Sequence, residues 1–195
     1  ALTTFTFRPD LVKAIIAAPL PDPVLINQNL LINSKWRKAI NDFLIKIFFY
    51  LLPLEIIVPL ISRTNLIYKA LQLAYFKSIE SDASLKRLVK EPAKKSSAAR
   101  SLRAMAIGMS TRAKSSTAPD LLNKLYQNLR NPLILLVWGR EDKFIPLSVG
   151  ENLKKQYPWI KLLVIDQCGH CPHDESPNSF NRSVLNWLEI HLNSL

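Results

Sequence analysis

Two short runs constrain this chain most: NPLILLVWG at 131–139 and IKLLVID at 160–166. Each is continuously apolar, rich in Ile, Leu and Val, and bounded by turn residues. A strand with one wet face alternates apolar and polar positions. An unbroken run suits a strand covered on both faces, as in a parallel sheet. Between the two runs, REDKFIPLSVGENLKKQYP offers a loop and then an amphipathic helix. Beyond the second, NSFNRSVLNWLEIHL (178–192) reads as a closing helix capped by Asn178 or Ser179. Strand, helix, strand, helix predicts the α/β class, with mostly parallel strands and flanking helices. A further run, LVKAIIAAP at 11–19, predicts another strand buried on both faces.

The middle of the chain has a different character. From Lys35 to about Arg112 it holds one glycine, Gly108, and long aliphatic and basic stretches that predict helices. FLIKIFFYLLPLEIIVPLI (43–61) is long enough to suggest a membrane span. Lys46, Glu55, Pro53 and Pro59 argue against it. A charge at mid-bilayer costs about 2.5–3.5 kcal/mol, and prolines interrupt the helical ladder. Short helices over an apolar pocket, or lying on a membrane surface, fit this stretch better. LVKEPAKKSSAARSLRAMAIGM (88–109) reads as a linker followed by a helix capped by Ser96 or Ser97. The expected organisation is therefore a core segment at 1–26, a helical insertion at 27–119 and a second core segment at 120–195.

Charge is concentrated in the insertion. Residues 77–114 hold ten Lys or Arg and three Asp or Glu, which is +7 of the chain's +11. Such a patch attracts anions in general. Nucleic acid is disfavoured, because no aromatic residues interleave with the basic ones and no nucleic-acid-binding motif is present. Peripheral contact of the insertion with a membrane remains an expectation. The chain's two cysteines, Cys168 and Cys171, do not form a secreted disulfide framework, so a reducing, intracellular compartment is expected.

In open parallel sheets functional groups gather beyond the carboxyl ends of the strands. Two such places hold candidates here. Arg140-Glu141-Asp142 follows the strand at 131–139, and Gln167-Cys168-Gly169-His170 follows the strand at 160–166. The stretch DQCGHCPHDES (166–176) has three functional readings. Cys168 and Cys171 have the spacing of a dithiol redox pair, but that pair should open a helix early in its fold. Cys168, His170, Cys171 and His173 supply metal-ligand types, but they are crowded together with no second cluster elsewhere. A histidine after a strand, with an acid after an earlier one, has the chain order of the acid and base in a serine-hydrolase triad.

At these residues the sequence resembles the α/β-hydrolase superfamily. VWGREDKFIP is similar to its acid loop, of pattern WGxxDxxxP, and GHCPHDESP to its histidine loop, of pattern GHxPHxExP. The resemblance implies that Asp142, rather than Glu141, is the catalytic acid and His170 the base. Gly169, His173 and Glu175 would support the loop. The string GHCPHDE and the stretch ARSLRAMAIGM resemble the pheophytinase-like branch of plants and cyanobacteria. That branch implies an ester hydrolase acting on an apolar small molecule, without metal or organic cofactor, in a plastid or at a cyanobacterial thylakoid surface. The insertion would then be a helical cap, with Tyr50, Phe76, Met105 and Met109 as candidate pocket residues.

One departure matters. The nucleophile elbow requires Gly-x-Ser-x-Gly between a strand and a helix. The glycines here are Gly108, Gly139, Gly150 and Gly169, and none brackets a serine. Ser110 follows a helical stretch and lacks the elbow. ALTTFTFRPDLVKAIIAAP resembles the helix after the elbow and the strand that follows it. The expectation is a carboxyl-terminal part of an α/β-hydrolase, inactive alone, from a longer protein or a broken gene. Two alternatives stay open. One is a non-catalytic basic fragment that binds a membrane surface or a partner. The other is a relative with an aspartate nucleophile, of the haloalkane dehalogenase or epoxide hydrolase type.

Overall fold

The computed structural model describes residues 1–20, 22, 35–95, 97–127 and 132–192. In chain order the elements are α1 (Leu2–Phe7), β1 (Ala14–Ala17), α2 (Lys35–Leu51), α3 (Leu54–Ser62), α4 (Leu66–Gln72), α5 (Ala83–Ala93), α6 (Ser97–Thr111), α7 (Ala118–Gln127), β2 (Leu133–Gly139), α8 (Leu147–Gln156), β3 (Lys161–Ile165), α9 (Pro172–Glu175) and α10 (Pro177–Leu192). They divide into two compact units. One comprises Ala1–Gln28, Leu73–Ser78 and Lys114–Leu195, the other Asn29–Gln72 and Ile79–Ala113.

The first unit is built on a parallel sheet in the order β1-β2-β3. Ala14 pairs with Leu133 and Ala17 with Leu136 on one side of β2, while Leu135 pairs with Lys161 and Gly139 with Ile165 on the other. The unbroken apolar run of β2 now has its reason. Ile134, Leu136 and Trp138 enter one core with Ile15, Leu122, Leu153, Tyr157 and Ile160. Leu135 and Val137 enter a second core with Ile165, Cys168 and Trp187. Each large apolar side chain so enclosed contributes about 1.5–3 kcal/mol. Helix α8 lies close against β2 through Gly150, where a Cβ would meet the Trp138 ring at 2.8 Å.

Several expectations change. The first strand is four residues long, and only Ile15 is buried in it; Ile16 is exposed, and β1 stands at the edge of the described sheet. Residues 88–93, read as linker, belong to α5. Its N-terminus is fixed by Asp82, whose carboxylate accepts the Leu85 N–H at 2.8 Å. Pro92 stands in the last turn, one residue before the helix ends. Helix α6 begins at Ser97, and Ser96 lies outside the described residues. The closing helix begins at Pro177, ahead of Asn178 and Ser179, at a position where the missing N–H of proline removes no bond. Helices α7 and α9 were not foreseen.

The second unit is helical. The apolar stretch at 43–61 breaks at Pro53 into α2 and α3. No helix among the described residues is long and apolar enough to cross a membrane. Arg103 of α6 holds the break: its guanidinium donates to the Phe49 and Leu52 carbonyls at 2.8 and 3.0 Å and pairs with Glu55. That pairing holds the Glu55 carboxyl down to about 2.

Candidate active site

The loop after β2 is folded around its own carboxylate. The Trp138 indole donates to the Ile145 carbonyl at 2.8 Å and closes the loop from below. Inside, Asp142 Oδ1 accepts the backbone N–H groups of Phe144 at 2.8 Å and Ile145 at 2.9 Å. This turn is one that aspartate makes readily. Asp142 Oδ2 is left to face His170 Nδ1 at 2.9 Å, with the Asp142 side chain fully enclosed and the imidazole partly exposed. Glu141 does different work. Its carboxylate accepts the Cys168 N–H at 2.9 Å and its N–H donates to the Cys168 carbonyl at 3.0 Å. The acid implied by the resemblance is the one that reaches the histidine.

The loop after β3 is held at both ends. Arg140 pairs with Asp166 where the loop leaves the strand. Gln167 then turns the chain at φ 54°, a left-handed conformation that costs about 1–2 kcal/mol for a side chain with a Cβ. The His170 N–H donates to the Ala74 carbonyl at 2.7 Å. Glu175, buried in α9, accepts the N–H groups of Gly169 at 2.6 Å, Phe76 at 2.8 Å and Lys77 at 3.1 Å. The segment Leu73–Ser78 is thus strapped across the histidine loop, and Gly169 permits it. A Cβ there would sit 2.5 Å from the Ala74 oxygen and 2.9 Å from the Phe76 nitrogen.

The roles expected of the supporting residues are redistributed. Glu175 does bond the loop. His173 is exposed and packs edge-on against Phe180 at 6.0 Å, with no hydrogen bond to its ring among the described residues. The side chain that bonds outward from α9 is Asp174, which accepts the Tyr75 hydroxyl at 2.8 Å. Sequence reasoning missed Ala74, Tyr75 and Lys77, which no local pattern marks. Of the candidate pocket residues, Phe76 lies in this strap. Tyr50, Met105 and Met109 are exposed on α2 and α6 of the helical unit.

Both cysteines are free thiols. Burial, aided by the Glu175 charge, pushes Cys168 from 9.0 up to about 11, and burial also raises Cys171. Neither tends toward a thiolate, the form that attacks or binds metal. The described residues include no group of three or more His, Cys, Asp or Glu placed to hold a metal ion. Burial also raises Tyr75. These groups favour the fold in their protonated forms. Their contribution to stability should be level below about pH 9 and fall as pH rises toward 11, by roughly 2–3 kcal/mol at most from Cys168. Urea midpoints measured at about pH 8 and pH 10.5 test this. Cys168→Ala should flatten the slope, and an unchanged slope would refute the assignment.

What the pair can do follows from its hydrogen bond. With Nδ1–H given to Asp142, Nε2 carries the lone pair and can take a proton from a hydroxyl or a water. No family model matches the chain. A stretch of 75 residues is 36% identical to the chloroplastic pheophytinase of Arabidopsis thaliana. A stretch of 54 residues is 43% identical to the 2-hydroxy-6-oxononadienedioate/2-hydroxy-6-oxononatrienedioate hydrolase of Burkholderia vietnamiensis. These stretches cover 38% and 28% of this chain, but only 15% and 19% of those proteins. An α/β-hydrolase from a Medee basin deep-sea metagenome library superposes on 96% of the chain with a TM-score of 0.58 at 17% identity. A thermophilic esterase from Thermogutta terrifontis superposes on 97%, also at 0.58 and 17% identity.

The chain has part of an α/β-hydrolase fold. It spans about 60% of those two α/β-hydrolase structures. Within this α/β-hydrolase fold, β2 and β3 are the strands whose ends carry Asp142 and His170.

Proposed function

We propose that this chain supplies the acid and base of a serine ester hydrolase acting on an apolar ester. The observation that carries the reading is the 2.9 Å contact between His170 Nδ1 and the enclosed Asp142 carboxylate. His170 Nε2 would take the proton of a serine hydroxyl as it attacks the ester carbonyl, and pass it to the departing alcohol. Water would then cleave the acyl-enzyme with His170 again as base. Asp142 fixes the tautomer throughout and stabilises the imidazolium.

The serine would come from outside these 195 residues. No Gly-x-Ser-x-Gly occurs in the sequence, and Gly108 and Ser110 lie within α6 rather than at a strand-to-helix turn. Similarity to the chloroplastic pheophytinase supports a plastid setting.

The 195-residue chain should not hydrolyse a p-nitrophenyl ester above the buffer rate. Turnover that His170→Ala abolishes would show that the nucleophile lies within it. A longer version bearing an in-frame Gly-x-Ser-x-Gly ahead of Ala1 should be active. In that protein His170→Ala should lower kcat by about 10³-fold or more. An active longer protein indifferent to His170→Ala would refute the proposed base.

A further inference from the structure

Helix α2 carries an apolar stripe that the fold leaves uncovered. Ile40, Phe43, Leu44, Ile47, Phe48 and Leu51 recur at i, i+3, i+4, i+7, i+8 and i+11, which places them along one face. On a globular protein such a face is normally the one packed inward. Here all six side chains are between 38% and 76% exposed. Ile56 and Leu60, one turn apart on α3 beyond the Pro53 break, are exposed as well. The break itself is fixed by Arg103, which bonds the Phe49 carbonyl of α2 and the Leu52 carbonyl just beyond it, and pairs with Glu55 of α3.

The same unit is strongly cationic. Residues 29–72 and 79–113 contain fourteen Lys or Arg against five Asp or Glu, so this unit carries +9 of the chain's +11. Arg87, Lys94, Lys95 and Arg100 are exposed around the junction of α5 and α6. Two copies of such a unit repel one another, which argues against a second copy covering the stripe. An exposed apolar helix face on a cationic body matches what interfacial helices present to anionic lipid: apolar side chains enter the headgroup boundary while basic groups meet the surface charge. No helix among the described residues is long and apolar enough to span.

We propose that the helical unit docks on an anionic lipid surface, with the α2 stripe entering the interface and the cations of α5 and α6 supplying the attraction. The inference does not rest on the proposed ester hydrolysis, and its readout is binding alone. The full chain is floated with vesicles of phosphatidylcholine, with and without phosphatidylglycerol, at about 0.1 M and about 1 M salt, where the Debye length falls from about 10 to about 3 Å. The bound fraction on anionic vesicles at low salt should exceed that on neutral ones by at least about tenfold, and should fall by a similar factor at high salt. Phe43→Ser with Phe48→Ser should weaken binding by about tenfold or more, with an unchanged circular dichroism spectrum. Arg87→Glu with Lys95→Glu should do the same without touching the stripe. Equal flotation on neutral vesicles at either salt would mark unselective apolar adhesion and overturn the proposal. So would no flotation, an unchanged Phe43/Phe48 variant, or a dimer in light scattering that the Phe43/Phe48 variant converts to a monomer.

Discussion

Gly139→Ala is expected to force the histidine loop off the end of β2 and to cost more than about 3 kcal/mol of stability. A Cβ at this position would lie 1.9 Å from the Gly169 oxygen and 2.3 Å from the Cys168 oxygen. Both are backbone atoms of the loop that carries His170. No rotamer change can relieve the overlap, so one main chain must move away from the other. That movement would break the bonds between Glu141 and Cys168 and put the His170–Asp142 hydrogen bond at risk. The urea midpoint should fall by roughly 1–3 M at the slopes usual for small domains.

A matched substitution separates this effect from the general consequences of losing a glycine. A Cβ on Gly108 in α6 meets nothing within 4 Å. Gly108→Ala should raise stability by up to about 1 kcal/mol, because alanine is the better helix former. Opposite signs for the two glycine substitutions are the expected result. A Gly139→Ala protein within about 0.5 kcal/mol of the parent would show that the close approach of the two loops does not hold in solution.

The parts of the site legible in the sequence are those created by local rules. Strands covered on both faces leave unbroken apolar runs, so β2 and β3 stood out, and their ends located both loops. The run at 11–19 predicts a longer strand than β1 because Leu11, Val12 and Ala18 beyond its ends are apolar too, and nothing in composition distinguishes an edge position from a central one. The choice between Glu141 and Asp142 came from the resemblance, and the geometry supplies its reason. Aspartate is short enough to fold back on the Phe144 and Ile145 N–H groups while still offering Oδ2, whereas Glu141 reaches across to Cys168. The strap at Leu73–Ser78 was not legible. Its partners lie about a hundred positions away, and it acts largely through backbone groups, which leave no side-chain pattern. The same absence explains why Asp174 is not among the expected supporting residues, since the partner that decides its role is Tyr75.

The two ways of altering Asp142 should have different consequences, and the difference isolates its chemistry from its structural work. Asp142→Ala removes the acceptor for the Phe144 and Ile145 N–H groups and for the imidazole. Leaving these donors unpaired in a largely buried place should cost about 3 kcal/mol or more, read as a lower urea midpoint. Asp142→Asn can keep Oδ1 on the two backbone groups and so keep most of the stability. It then turns an amide N–H₂ toward His170 Nδ1, where a donor would face a donor. The imidazole should respond by moving its proton to Nε2, the atom needed as base. Nitrogen chemical shifts of His170 should therefore show the Nδ1–H tautomer in the parent and the Nε2–H tautomer in Asp142→Asn. In a complete hydrolase the same substitution should lower kcat by about 10⁴-fold with the fold intact. If Asp142→Asn retains both the Nδ1–H tautomer and full turnover, Asp142 is a loop-building residue and another acid serves His170.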